Sequence, residues 1–294
     1  MRLARIKGVD IVVSPVLIVL AMAAAFSGFP IRVLILAVAV LFHEAAHWVT
    51  AAFLGYRLEE IRLFPLGGSV RIAGMSGLEP VRESLIALAG PVVSIMLAVL
   101  CLEFKALGIV TCRYADFFIA ANTVIFLFNL LPALPLDGGR VLRSVLSCKH
   151  GTAAATRAVY ILGSIIALIM GFFSLYRGLD NPLEISMMAA AVFLFFAGRV
   201  ERKMAPSLVI SQVGCKEGLL REKGLLRSRT LVAAYNASGK RVINFFVPGF
   251  YHIVFVVGRS GEVLGKVSEQ EVLDGIMRHG YNVKMEEIIN IHNP

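Results

Sequence analysis

Residues 31–55, "IRVLILAVAVLFHEAAHWVTAAFLG", form a nearly continuous apolar run that carries His43, Glu44 and His47 within five consecutive residues. The run is long enough to cross a bilayer, whose hydrocarbon core takes about 20 residues of helix. Ionisable groups are costly there, at about 2.5–3.5 kcal/mol for a central charge on insertion scales, so an intramembrane ionisable residue is read first as a functional one. The alternative is a structural polar knot between packed helices. A passive scaffold has no need of it.

On a helix, His43 and His47 are four residues apart and project from one face, one turn above the other. That spacing suits two imidazole ligands on one Zn²⁺, with Glu44 between them able to reach the metal's water as general base. A hydrolytic zinc site needs a third protein ligand and an open position. Asp137, in the "PLDGG" segment, is the other acid expected at membrane depth away from span edges, and is the best candidate. Aspartate is also a favoured helix cap, so Asp137 has that reading too. His150, His252, His279 and His292 fall outside the apolar segments and read as solvated surface residues.

The composition extends this into a polytopic α-helical membrane protein: 57% of the 294 residues are hydrophobic and the mean hydropathy is +0.77. Six transmembrane helices are expected at about 11–29, 31–54, 84–103, 115–134, 157–176 and 183–200. The first follows Arg2, Arg5 and Lys7 and reads as a retained anchor, because no small-residue cleavage site follows it. Basic residues sort the connections. Arg57, Arg62, Arg71 and Arg82, then Arg140, Arg143, Lys149 and Arg157, lie on the side of the N-terminus, so both termini are expected to be cytoplasmic. The net charge of +9 follows this topology and is spread over both parts of the chain, so no direct nucleic-acid partner is expected. The four cysteines are scattered and imply neither a disulfide framework nor a cysteine metal site.

Two connections are unusual. Residues 62–72, "RLFPLGGSVRI", have the grammar of a short hairpin, apolar enough to re-enter the membrane where protein covers its backbone. Residues 129–140, "NLLPALPLDGGR", place two prolines and two glycines where the fourth span must break. The membrane core is assigned to residues 1–200 and a small α/β domain to 201–294. In the latter, Ile253–Val257 and Val263–Val267 read as strands, followed by a helix with Ser268 and Glu271 in capping-box positions.

Taken together, "FHEAAH", "LFPLGGSV" and "NLLPALPLDGG" resemble the site-2 protease family of intramembrane zinc metalloproteases. The last segment matches that family's NxxPxPxxDG pattern at Asn129, Pro132, Asp137 and Gly138, but Leu134 stands at the second proline position and Pro135 follows it. The resemblance implies zinc ligation by His43, His47 and Asp137, water activation by Glu44, and substrate contacts from Asn129 and Pro135. It also implies a re-entrant hairpin beside the substrate path, formed by Phe64, Leu66, Gly67, Gly68 and Val70. Asn129 reads equally well as the donor of an interhelical hydrogen bond. The six-span plan with a small tail is most similar to the sporulation branch of the family. That branch implies the pro-sequence of a sporulation sigma factor, pro-sigma-K, as substrate, inhibitory membrane proteins as partners and the outer forespore membrane as location.

The tail resembles a cystathionine-β-synthase (CBS) module. Its ribose-binding pattern would fall on Ser268 and Glu271, with ATP as the implied ligand and pairing of copies into a homo-oligomer; the capping box explains the same two residues. Alternative readings are a membrane cation transporter or binding protein using the His/Asp cluster, a site-2 protease acting on an anti-sigma factor, or an inactive scaffold. A transport site has no use for Glu44, and no internal repeat is evident.

Overall fold

The computed structural model describes residues 2–6, 9–13, 30–56, 58–64, 67–72 and 80–292. The chain divides into two compact units, residues 1–75, 82–132 and 136–141 in the first and 76–81, 133–135 and 142–294 in the second.

In the first unit, strands β1 (Arg2–Ile6), β2 (Val9–Val13), β3 (Leu58–Phe64) and β4 (Gly67–Ile72) form one sheet in the order β1-β2-β3-β4. The pair β2–β3 is parallel, while β1–β2 and β3–β4 are antiparallel. The expected hairpin is therefore present, closing with Phe64 opposite Gly67; Leu66 lies outside the described residues. The start of the expected first span requires correction. Residues 11–13 belong to β2, whose "VDIVV" is rich in β-branched residues that favour a pleated strand, and residues 14–29 lie outside the described residues.

Helices α1 (Pro30–Phe53), α2 (Pro80–Ala106) and α3 (Ala115–Asn129) follow, and β4 runs alongside α1. The buried residues of α1 are Ala39, His43, Glu44, His47 and Ala51, while Leu34, Leu41, Phe42 and Phe53 are exposed. A helix with its polar groups inside and its large apolar groups outside is built for lipid, not water. α3 is the second correction. It stops at Asn129 instead of 134 and, with 15 residues, spans about 22 Å, short of the roughly 30 Å core. Pro132 and Pro135 prevent its continuation.

Helix α4 (Asp137–His150) begins after the break. In the second unit, α5 (Thr152–Arg177) and α6 (Pro182–Lys223) pair as a hairpin. The buried face of α5 carries Ala155, Val159, Gly163 and Ala167 at four-residue spacing, the small-residue face that brings spanning helices close. Asn181 caps α6 by accepting a hydrogen bond from the Leu183 N–H at 3.1 Å. Four helical segments, Pro30–Phe53, Pro80–Ala106, Thr152–Arg177 and Pro182–Gly214, are long and apolar enough to cross a membrane, so the protein is multi-pass.

The boundary drawn at residue 200 falls inside α6, which continues without a break and contributes Val209 and Val213 to the core of the C-terminal domain. That domain holds β5 (Arg227–Ala234), parallel to β6 (Phe250–Val257), which is antiparallel to β7 (Val263–Ser268). Short helices α7 (Gly239–Ile243), α8 (Glu269–His279) and α9 (Met285–His292) cover it. β6 buries alternate residues His252, Val254 and Val256, as a strand with one covered face must, so His252 is a core residue and not the solvated surface residue expected.

Lys216 ties α6 to this domain. Its ammonium donates to both Glu269 carboxylate oxygens at 2.7 and 3.0 Å and to the Phe250 carbonyl at 2.7 Å. The same carboxylate accepts from the His252 backbone N–H at 3.0 Å and pairs with the His252 ring at Nδ1. Burial pushes the Lys216 ammonium below the ordinary lysine range, and Glu269 opposes that shift. Breaking a buried pair by removing one partner costs about 3–5 kcal/mol. Glu269→Ala should therefore accelerate amide exchange in β6 and β7 by at least about 100-fold in the full-length protein, and unchanged protection there would show the pair to be dispensable.

Candidate metal centre

The two histidines of α1 meet Asp137, the first residue of α4. His43 Nε2 and His47 Nε2 each lie 3.2 Å from Asp137 Oδ2, and the two Nε2 atoms are 3.3 Å apart. All three residues are buried. A tetrahedral ion with bonds of about 2.0 Å has ligand–ligand edges of about 3.3 Å, so the donor set has the size and chemistry of three corners of a zinc site.

α2 orients the rings. His47 Nδ1 lies 2.7 Å from the Ile86 carbonyl, which can only accept, so Nδ1 carries a proton and Nε2 is the ring nitrogen left for a metal ion. His43 Nδ1 is 2.9 Å from Ser94 Oγ. Between these contacts lies Gly90, where a Cβ would stand 2.7 Å from His43 Nε2 and nearer still to His47 Nε2. Ile86, Gly90 and Ser94 are four residues apart and share a helix face, a supporting stripe missed in the sequence analysis. The four-residue spacing was visible, but nothing in the sequence marked α2 as the helix against which the histidines pack.

Gly138 positions Asp137. A Cβ there would come within 2.7 Å of the Leu131 carbonyl oxygen and closer to that of Leu130, so α4 starts hard against the chain leaving α3. Leu136 accepts the first helical hydrogen bond, from Arg140 N–H at 3.0 Å, which places Asp137 inside the helix at its first position. Glu44 is buried in the same helix, between His43 and His47 in the chain.

The remaining sequence-derived residues fall elsewhere. Asn129 Nδ2 donates to the Ile125 carbonyl one turn back at 3.0 Å, a bond within its own helix and not between helices. Pro135 follows a cis peptide bond in the segment between α3 and α4. Ser268 and Glu271 form the capping box: Glu271 N–H donates to Ser268 Oγ at 3.3 Å and Ser268 N–H to Glu271 Oε2 at 2.7 Å. Phe64, Gly67, Gly68 and Val70 sit on the β3–β4 hairpin.

Fold and site define a membrane-embedded protein with a buried His-Glu-x-x-His/Asp metal centre. The model of Peptidase family M50 matches residues 31–112 and 103–172. A zinc metalloprotease of Methanocaldococcus jannaschii is 32% identical over 58% of this chain, and the chain spans about half the length of that relative, 49%. Stage IV sporulation protein FB of Bacillus subtilis is 28% identical over 94% of this chain and 95% of its own. The solved structure of a site-2 protease from M. jannaschii superposes with a TM-score of 0.56 at 27% identity, over 69% of this chain and 94% of that one. The chain belongs to Peptidase family M50, the site-2 family of zinc metalloproteases.

Proposed function

We propose that the chain is an intramembrane endopeptidase that cuts a membrane-associated protein near the cytoplasmic membrane surface. His43, His47 and Asp137 hold Zn²⁺ and Glu44 is the general base. The observation that carries this reading is the triangle of two Nε2 atoms and one carboxylate oxygen at 3.2–3.3 Å, together with Glu44, buried in the same helix as the two histidines. When bound, zinc supplies a Lewis acid and brings the pKa of its water to about 7. The Ile86 carbonyl and Ser94 hydroxyl hold the two rings in place, and Glu44 takes the proton of the attacking water and returns it to the amine of the leaving peptide.

A helical substrate shields its own carbonyls and must unwind before it is cut. β4 is an edge of the described sheet and runs alongside α1, which supports acceptance of an extended segment by strand addition. The substrate we favour is the pro-sequence of a pro-sigma-K-type sporulation factor, supported by likeness to stage IV sporulation protein FB over nearly the whole chain. The same likeness supports inhibitory membrane partners and an outer forespore location, and the strand–strand–helix order of β6, β7 and α8 supports a CBS-like tail that pairs between copies. The distribution of basic residues supports cytoplasmic termini.

Co-expression with a membrane-tethered pro-sigma-K substrate should yield the shortened product, and the purified protein should carry one zinc per chain. His47→Ala should lose both. Product formation undiminished in His47→Ala would remove the metal centre from the reaction.

A further inference from the structure

The second unit contains a cavity of about 820 Å³ that the metal centre does not use. Its volume is in the roughly 300–1,000 Å³ range of small-ligand sites. Six cations line it: Arg157 from α5, Arg199, Arg202 and Lys203 from α6, and Lys240 and Arg241 from α7. No aspartate or glutamate lines it. Among the described residues none of the six side chains makes an ion pair or a hydrogen bond; Arg202 alone has a recorded partner, with its guanidinium carbon 5.1 Å from the centre of the Tyr160 ring. All six are exposed, so water screens their mutual repulsion, and an anion among them gains attraction from three elements at once.

The surroundings indicate which anion. The apolar stretch of α6 ends at Gly198, and Arg199, Arg202 and Lys203 follow at once. Arg157 stands near the start of α5, at the same end of the helix hairpin. One helical turn from Arg157, Arg199 and Lys203, the two candidate spans expose Ile161, Phe196 and Val200, an apolar flank. Phosphate-binding cations above a lipid-facing apolar flank match both halves of a phospholipid, and basic pockets at span ends are sites for anionic headgroups. A freely soluble phosphate compound satisfies the cations and leaves the flank unused.

We infer that this cavity binds the phosphate headgroup of an anionic phospholipid, with its acyl chains along the Ile161–Phe196 flank. A bound lipid bridges the spanning hairpin to α7, so it fixes the C-terminal domain against the end of α5 and α6.

Native mass spectrometry of the full-length protein in neutral detergent tests this without reference to peptidase activity. With added dioleoylphosphatidylglycerol the protein should retain about one lipid per chain, and dioleoylphosphatidylcholine should be retained at least 10-fold more weakly. The triple variant R157Q/R199Q/R202Q should weaken phosphatidylglycerol retention at least 10-fold, and R157K/R199K/R202K, which keeps the charge, should largely restore it. Equal retention by wild type and the glutamine variant would overturn the site. Retention of inorganic pyrophosphate by this cavity with no phosphatidylglycerol would overturn the lipid assignment. Loss of binding in both triple variants would overturn the charge argument.

Discussion

Glu44→Gln should keep its zinc and lose its peptidase activity. Glutamine has the shape of glutamate, so the packing of α1 is retained, and His43, His47 and Asp137 are untouched. What disappears is the proton acceptor, and general acid–base catalysis of this kind is worth about 10²- to 10⁴-fold. Zinc content by elemental analysis should match wild type while the cleavage rate of a membrane-tethered substrate falls by at least about 100-fold. The paired readout separates the protease from a cation carrier built on the same cluster. A carrier needs the three ligands and has no proton to move through Glu44, so its transport would survive the change. Cleavage at the wild-type rate in the glutamine variant would refute the assignment of Glu44 as base.

Much of this centre was legible in the sequence because its chemistry obliges unusual residues to stand in unusual places. His43, Glu44 and His47 stood out against an apolar run, and Asp137 stood out inside a proline- and glycine-rich break. The hairpin was legible from Pro65 and the Gly67–Gly68 pair, and the start of α8 from the spacing of Ser268 and Glu271. What escaped was set by tertiary packing. The continuation of α6 beyond residue 200 follows from the burial of Val209 and Val213 in the C-terminal core, which hydropathy does not distinguish from a span followed by a linker. Lys216 and Glu269 are ordinary surface types whose burial depends on meeting each other. Asn129 turns back on its own helix, a choice composition does not reveal.

Gly90 makes the strongest case for a residue whose role exists only in three dimensions. Glycine in a helix interior costs roughly 0.5–1 kcal/mol relative to alanine, and Pro91 next to it removes an N–H from the same turn. The pair is tolerated because α2 must pass close to the Nε2 edges of both histidines. A methyl group at residue 90 would displace either the rings or α2. The rings are held by Ile86 and Ser94 on the same helix, so moving α2 also moves the groups that orient them. Loss of such orienting contacts typically lowers metal affinity by about 10- to 100-fold. Gly90→Ala should therefore need about 10- to 100-fold more free zinc for half-occupancy and lose cleavage in proportion, while still inserting in the membrane. Gly171→Ala is the matched control, because a Cβ there meets its nearest neighbours at 3.8 and 3.9 Å, an ordinary contact. It should bind zinc as wild type does. Equal zinc affinity in the two alanine variants would mean that the α1–α2 crossing relaxes freely and that the close approach at Gly90 does not shape the metal centre.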